Sequence, residues 1–356
     1  MLKIMLIGCG LRGRTWARAV KENPDCEICA YVDTDQAALE RIKKEHNDED
    51  VPGYLSLEPA LRESGSEAAI LVTPPQFHYE QSLKVLDNGL DLLAEKPLTE
   101  DFETSQEIVR VAEERRLNLV VGMQFRYMPV TQAYKKLFEE GPFSKPNFAQ
   151  FQYIRTRNPM NYRGWVLNQY CNDMPHTFLL EQAIHHLDLI RFVYTTEVES
   201  VMAFEWNPIE WKHNPYKKDP NVSILLNMEN GMHVNYMGTW ISGNEGMGEG
   251  IDFRWRTDFE DGIIVQRDLF GETGLFKASR DSPELTCIDT GPIEPFVTDT
   301  RFLLEEFYQC CKEGKNPETS GKDHLKTLLT VLACIRSSEQ GKKVNLREFK
   351  EEIKAP

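Results

Sequence analysis

The first thirty-three residues leave this chain few choices of fold. Lys3–Ile7 is a short apolar run of the kind that forms a buried strand. It leads without a spacer into Gly8-Cys9-Gly10-Leu11-Arg12-Gly13, and a predicted helix, Arg14–Asn23, follows and stops at Pro24. Glu27–Val32 reads as a second strand, with Asp33 at its carboxyl end, 20 residues after the last glycine. Three glycines at this spacing are weak evidence alone; between a strand and a helix, with an acid at that distance, they are specific. The glycines let backbone approach a pyrophosphate, the bare N–H groups of the helix start attract its charge, and the carboxylate accepts from both ribose hydroxyls. An acid there repels a 2′-phosphate, so NAD is expected over NADP, although Arg12 and Arg14 leave NADP open.

The same grammar continues. Thr34 or Asp35 caps a helix to about His46, and Ala68–Val72 is a strand. Tyr79–Asn88 is a helix with Gly89 as its C-terminal cap, Asp91–Ala94 a strand, Phe102–Arg116 a helix and Asn118–Val121 a strand. Short, fully apolar strands alternating with helices predict an α/β protein with an N-terminal doubly wound parallel sheet of the Rossmann type. Past Gly122 the pattern changes. A helix near Val130–Glu139 and a strand at Phe148–Arg155 precede one polar, His-rich helix over Phe178–Tyr194. Strands are predicted at Val198–Trp206, Val222–Met228, Met232–Trp240, Asp252–Thr257 and Ile263–Asp268, with Asn230-Gly231 as a hairpin turn. Helices at Thr300–Lys312 and Lys322–Gln340 close the chain. This half is expected to be an α/β domain with a large open, mostly antiparallel sheet. The expected division is residues 1–122 for the cofactor and 123–356 for substrate binding and oligomerisation.

At 356 residues the chain is too long for one ordinary core, which agrees with two domains. Its net charge of −15, with no basic stripe, makes nucleic acid an unexpected partner. The N-terminal apolar run is only about five residues long and ends in glycines, unlike a secretion signal. No run approaches the ~18 residues of a membrane span, so a cytoplasmic protein without membrane contact is expected. Of the eight cysteines only Cys26 and Cys29 form a CxxC, inside the apolar stretch CEICAYV. Buried free thiols and no metal are the expectation.

Three further motifs sharpen the reading: Thr73-Pro74-Pro75-Gln76-Phe77-His78, Glu95-Lys96-Pro97 and Gly122-Met123-Gln124-Phe125-Arg126-Tyr127. With the glycine loop, in this order, they resemble the glucose–fructose oxidoreductase, inositol dehydrogenase and MocA (Gfo/Idh/MocA) family. The resemblance runs on through Glu181-Gln182-Ala183-Ile184-His185-His186-Leu187-Asp188 and Thr319-Ser320-Gly321-Lys322-Asp323, and so covers nearly the whole chain. It implies hydride transfer between NAD(P) and a secondary alcohol or ketone of a sugar, sugar acid or cyclitol. It places the cofactor against Gly8, Gly10, Leu11, Arg12, Gly13, Asp33, Thr73, Pro74, His78, Glu95 and Lys96. It sets Lys96 and His185 beside the nicotinamide, with Glu181 as an accompanying catalytic carboxylate, and implies a homodimer or homotetramer built on the open sheet. Three positions depart from the family: Asp is common where this chain has Glu181, a glycine-rich lead-in is common where it has His176-Thr177-Phe178, and glycine is common where it has Ala183.

The chemistry of the residues agrees. Lys96 follows a strand at the edge where open α/β sheets bind ligands, and its ammonium can polarise a carbonyl or stabilise an alkoxide. Pro97 biases the Lys96 backbone away from the helical region. Glu181, His185 and Asp188, at i, i+4 and i+7, share one helix face, while Leu180, Ala183, Ile184, Leu187 and Ile190 cover another. An imidazole near carboxylates is a proton shuttle at neutral pH. His186 falls off the polar face and is expected to be structural, and His176 is expected to narrow the site. Lys96 and His185, so far apart in the chain, act together only on a substrate held between the two domains. Arg126, Tyr162, Arg163 and Trp165, with Tyr153, Arg157, Asn168 and Trp240, are candidate substrate contacts, since aromatic faces and planar donors suit sugar rings. Two rival functions are an NAD-dependent glycosidase working by transient oxidation and a non-catalytic NAD-sensing regulator.

Overall fold

The computed structural model describes residues 1–155, 171, 174–211, 214, 216–243 and 250–353. The chain forms two compact units, Met1–Tyr127 with Glu294–Lys326, and Met128–Ile293 with Thr327–Pro356. A single break after Gly122 does not capture this, because a late segment returns to the first unit. The helix Thr298–Glu313 buries Leu303, Leu304 and Phe307 in one cluster with Leu2, Trp16 and Val20. Its apolar stripe says that it is amphipathic, not which core it joins.

The first unit runs β1 (Leu2–Ile7), α1 (Leu11–Glu22), β2 (Cys26–Val32), α2 (Gln36–His46), β3 (Gly53–Tyr54), α3 (Leu57–Glu63), β4 (Ala68–Leu71), α4 (His78–Asp87), β5 (Asp91–Ala94), α5 (Phe102–Arg115) and β6 (Leu119–Val121). Its six strands are all parallel, in the order β3-β2-β1-β4-β5-β6. Strand order reverses between β1 and β4, the place where such sheets open a crevice for ligands. Asp35 caps α2 by accepting from the Ala37 N–H, as expected. The helix α1 starts three residues before the expected Arg14, because the glycine loop itself supplies its first turn. The short β3 and α3 lie in what reads as a loop around Pro52, since neither is long enough to show a period.

The second unit contains α6 (Pro129–Glu140), β7 (Pro146–Arg155) and a π-helical turn, Leu179–Ala183, that runs into α7 (Ile184–Tyr194). Then come β8 (Val198–Trp206), β9 (Asn221–Met228), β10 (His233–Thr239), β11 (Ile251–Phe259), β12 (Gly262–Gln266), β13 (Leu275–Ser279) and β14 (Thr286–Ile288). After the returning helix α8 (Thr298–Glu313), the chain ends in α9 (Gly321–Gln340), β15 (Val344–Asn345) and α10 (Leu346–Glu352). Nine strands form one sheet in the order β14-β13-β12-β11-β7-β10-β9-β8-β15, antiparallel except for the parallel pair β7 and β10. The strands absent from the sequence reading, β13, β14 and β15, are short and lie at or next to the two ends of this order.

Alternation along the strands gives the sheet a covered face. Val222, Ile224 and Leu226 of β9, Val234 and Tyr236 of β10 and Phe151 and Tyr153 of β7 are all buried. Tyr134 of α6 packs on Trp255 of β11 with ring centroids 4.5 Å apart, and the Trp255 indole N–H donates to Tyr194 Oη of α7 at 2.6 Å. The Asn230-Gly231 turn joins β9 to β10 as expected, but only Gly231 takes a positive φ, of 84°. The Gly231 N–H donates to the Met228 carbonyl at 2.9 Å, the pattern of a three-residue loop with glycine at the left-handed position. Among the described residues no helix is long and apolar enough to cross a membrane. The thiol of Cys26 is buried and pushed up to about 12, chiefly by burial, but the expectation of buried thiols does not hold throughout: Cys29 and Cys311 are only partly buried and Cys287 is exposed.

Candidate active site

The glycine loop is held by tight approach. A Cβ on Gly13 would lie 2.1 Å from the Gly8 carbonyl oxygen, so only glycine allows α1 to begin directly on the loop. Gly8 takes φ 101°, and a Cβ there would lie 2.8 Å from the Val72 carbonyl oxygen on the β4 side. Around Gly10 nothing lies within 4 Å of the position a Cβ would take, so the outer side of the loop is open to a bulky group. Gly10 also occupies the N-cap of α1 without a side-chain cap, leaving the first N–H groups for an anion. Asp33 accepts from the Cys9 N–H at 2.7 Å and from the Asp35 N–H at 2.9 Å. Its carboxylate therefore fixes the loop and still has lone pairs for hydroxyl donors. Leu11 is exposed at the mouth of the loop.

The two arginines that left NADP open both have acid partners, while Arg12 Nη2 is buried without a hydrogen-bond partner among the described residues. Arg14 pairs with Glu45 at 2.9 Å, and Arg12 pairs with Glu95 at 2.5 Å and donates to Thr300 Oγ1 at 2.9 Å. Glu95 also accepts from the Trp16 indole N–H at 2.8 Å, and it presses so closely on Gly122 that a Cβ there would lie 2.8 Å from its carboxylate. Arg12 and Glu95, read as cofactor contacts, are thus partners of each other in a buried network that ties the glycine helix to the end of β5.

Lys96 follows Glu95 and is joined to Pro97 by a cis peptide bond. The buried His78 ring lies between the Pro97 carbonyl, 2.9 Å from Nδ1, and the Thr73 carbonyl, 2.7 Å from Nε2. Burial holds this imidazole below its usual range despite those carbonyls. His78 therefore clamps the Thr73-Pro74 turn to the Lys96-Pro97 turn, and Thr73 Oγ1 donates to Gln81 at 2.6 Å. Arg126, read as a substrate contact, is buried within the first unit, paired with Asp323 at 2.5 Å and donating to the Glu318 carbonyl at 3.0 Å. That pair explains why the Gly122 and Thr319 motifs occur together. No local signal in either segment announces it.

In the second unit His185 is buried near the start of α7, and Glu181 sits in the π-helical turn before it, with the Cys171 thiol 3.7 Å from Oε1. The 3.6-residue phase that set three polar groups on one face holds only from Ile184 onward, since a π turn bonds i to i+5. The π turn therefore shifts Glu181 relative to His185, whereas Asp188 keeps its α-helical spacing and is corrected by its own burial and partners. It is 1% exposed, accepts from Thr327 Oγ1 at 2.8 Å and lies 3.6 Å from Arg191, so it anchors the helix rather than facing a cleft. Leu180, Ala183, Ile184, Leu187 and Ile190 are buried as expected. His186 is structural: it sits 2.8 Å from Tyr236 Oη, and burial pushes its imidazole down to about 3. His176 turns to Glu205 of β8, with Nδ1 2.8 Å from Oε2. Tyr153 and Trp240 lie in the aromatic core, Tyr153 with Oη donating to Gln182 and Trp240 edge-on to Phe178. Arg157, Tyr162, Arg163, Trp165 and Asn168 lie outside the described residues.

Comparison with known proteins agrees with this geometry. The sequence pattern of the oxidoreductase family with NAD-binding Rossmann fold (GFO_IDH_MocA) matches residues 2–123, and that of the GFO/IDH/MocA C-terminal domain matches residues 131–265. The chain is similar to inositol 2-dehydrogenase of Rhizobium meliloti, 24% identical over 360 residues that cover 96% of this chain and 98% of the relative. It is similar also to scyllo-inositol 2-dehydrogenase (NAD(+)) of Bacillus subtilis, 23% identical over 303 residues, 80% of this chain and 79% of that one. An oxidoreductase from Agrobacterium radiobacter, solved in complex with NAD+, L-tartaric acid and magnesium, has the same fold. Its TM-score is 0.85 at 21% identity, covering 98% of this chain and 99% of that one.

Proposed function

Because this chain belongs to the Gfo/Idh/MocA family of NAD-binding oxidoreductases, we propose that it oxidises or reduces a secondary alcohol or ketone of a sugar, sugar acid or cyclitol. The observation that carries the reading is the setting of Lys96. It stands at the carboxyl end of a parallel strand, with Glu95 locked by Arg12 and Trp16 on one side and Pro97 held by His78 on the other. A lysine on a strand end so restrained is suited to binding one oxygen at a defined point rather than to solvation. Lys96 holds and polarises the reacting oxygen, and His185 takes or returns its proton. Bound NAD supplies the hydride acceptor or donor. The two named inositol dehydrogenases support a polyol substrate.

The residues around the glycine loop suit the dinucleotide: an open approach over Gly10, an uncapped helix start, Asp33 for the ribose, and Leu11, Thr73 and Pro74 at the rim. Arg12, Glu95, His78 and Arg126 act as positioning residues behind them. The test is a dehydrogenase screen over inositols, sugars and sugar acids that follows NADH. Net NADH formation with at least one polyol is expected. Cleavage of glycosides with retained cofactor and no net NADH would replace this reading with the glycosidase one.

With both arginines paired to acids and Asp33 in place, the protein is expected to bind NAD(H) more tightly than NADP(H). Cofactor titration by fluorescence checks this, and Asp33→Ala is expected to reduce the preference. Tighter NADP binding by the unmodified protein, or an Asp33→Ala preference equal to its own, contradicts the assignment.

The open sheet face supports self-association. Phe204 on β8, Leu225 on β9 and Met237 on β10 are exposed by 51%, 44% and 36% on one side of adjacent strands. The row continues on β7 and β11 as polar Gln152 and Arg254. An apolar strip of this kind is expected to be covered by a second copy. Sedimentation is expected to show a dimer or tetramer at micromolar concentration, and Leu225→Asp is expected to dissociate it. A monomer before substitution refutes the proposal.

A further inference from the structure

We propose that His176, Glu205 and Asp219 bind a divalent transition-metal ion of the zinc class, at a site apart from the hydride-transfer residues. Each side chain offers one ligand atom, an imidazole nitrogen and two carboxylate oxygens, and these atoms all lie within 4.8 Å of one another. A second observation points the same way. The Glu205 side chain is only 3% exposed, and while its Oε2 meets His176, its Oε1 is buried with no hydrogen-bond partner among the described residues. A carboxylate oxygen sealed from water and left bare calls for an occupant.

Charge argues for a cation. The negative charges of Asp219 and Glu339 both bear on His176 and on Glu205, so three carboxylates share one imidazole. A protonated His176 balances one of them and leaves Oε1 bare. A dication held by neutral His176 and the carboxylates of Glu205 and Asp219 balances two and fills the vacant oxygen. The donor set selects the metal: one nitrogen with two carboxylates suits zinc, whereas magnesium and calcium prefer oxygen alone. Bonds of about 2.0–2.2 Å put tetrahedral ligand atoms roughly 3.3 Å apart. Asp219, half-buried in the loop before β9, can close that gap by side-chain rotation.

The backbone fits such a role. His176 is a non-glycine residue in the left-handed region, at φ 52°, where histidine is among the more frequent side chains, and it turns its ring to Glu205. An ion here would join three segments: the lead-in to the helix bearing His185, the end of β8 and the loop before β9. The ligands are 29 and 14 residues apart, unlike the compact spacing that reveals metal sites in sequence, so the chain itself carried no sign of it.

The experiment is a zinc titration of tag-free, chelator-stripped protein, in competition with a chromophoric chelator, beside thermal melting. One zinc per chain at submicromolar affinity is expected, with a higher melting midpoint at saturation. His176→Ala and Asp219→Asn are each expected to weaken uptake at least ~10-fold and to remove the zinc-dependent rise in midpoint. Asp219→Asn is a mild change on a loop, and its circular dichroism and zinc-free melting are expected to match those of the unmodified protein. Absence of saturable uptake, or uptake undiminished in the two variants, overturns the proposal.

Discussion

Lys96→Met and His185→Ala are each expected to lower kcat by ~10²–10⁴-fold, the usual loss when a positioned acid, base or polarising group is removed. NAD affinity should stay within a few-fold, because in the proposed site the glycine loop and Asp33 hold the pyrophosphate and ribose, while these two side chains meet only the nicotinamide end. The residues fall in different units and on different element types, a strand end and a helix start, so no shared packing defect would link their losses. If they act on one substrate as a unit, the double variant should be scarcely worse than either single one. Single-turnover measurement with a substrate from the screen, with melting curves to show that each variant is folded, checks this. Near-normal turnover in either single variant would show that the chemistry lies elsewhere.

The second large effect is on stability. Asp188 and Arg191 are buried at 1% and 4% exposure, and Thr327 Oγ1 donates to Asp188 at 2.8 Å while accepting from Arg191 at 2.6 Å. Removing Asp188 leaves the buried Thr327 hydroxyl without its acceptor, while Arg191 keeps Glu197 at 2.6 Å, and the loss of one such buried hydrogen bond to a charged group typically costs ~1–3 kcal/mol. Asp188→Ala is expected to lower the melting midpoint by roughly 5 °C, from the usual change in midpoint per kcal/mol in domains of this size. Folded enzyme at low temperature should keep kcat within a few-fold. A wild-type melting curve with a collapsed kcat would put Asp188 beside His185 in the chemistry and reverse the correction made from the structure.

The contrast between Glu181, His185 and Asp188 shows where sequence reasoning stops. Local rules reach whatever a short stretch of chain decides for itself. The βαβ opening, the three glycines, Asp33 at the end of β2, the Asp35 cap and the alternation of β9 and β10 all depend on neighbours within a few residues. Those features were legible because backbone sterics and side-chain period act locally. The buried fate of His186 was legible too, from the aliphatic side of its helix. Asp188 was not, because its partner Thr327 lies far along the chain, and the place of Glu181 was not, because a π turn shifts it out of the α-helical phase.

The same limit explains the other differences. Arg12 reads as part of a phosphate loop, yet Glu95 and Thr300 claim it. Arg126 reads as a substrate contact, yet Asp323 claims it. The helix Thr298–Glu313 reads as part of the second half, yet its stripe is buried with Trp16 and Leu2. A charge or an apolar face shows that a partner is needed without showing which one, since every compatible partner in the chain satisfies the same local pattern. What selects it is burial: in a low-dielectric core a polar group must be paired, and only the closed fold brings the pair together. The sequence alone therefore determined the doubly wound sheet, the dinucleotide loop and the residue types of the chemistry. The tertiary structure decided which of those side chains are held back as supports and which are left to meet a ligand.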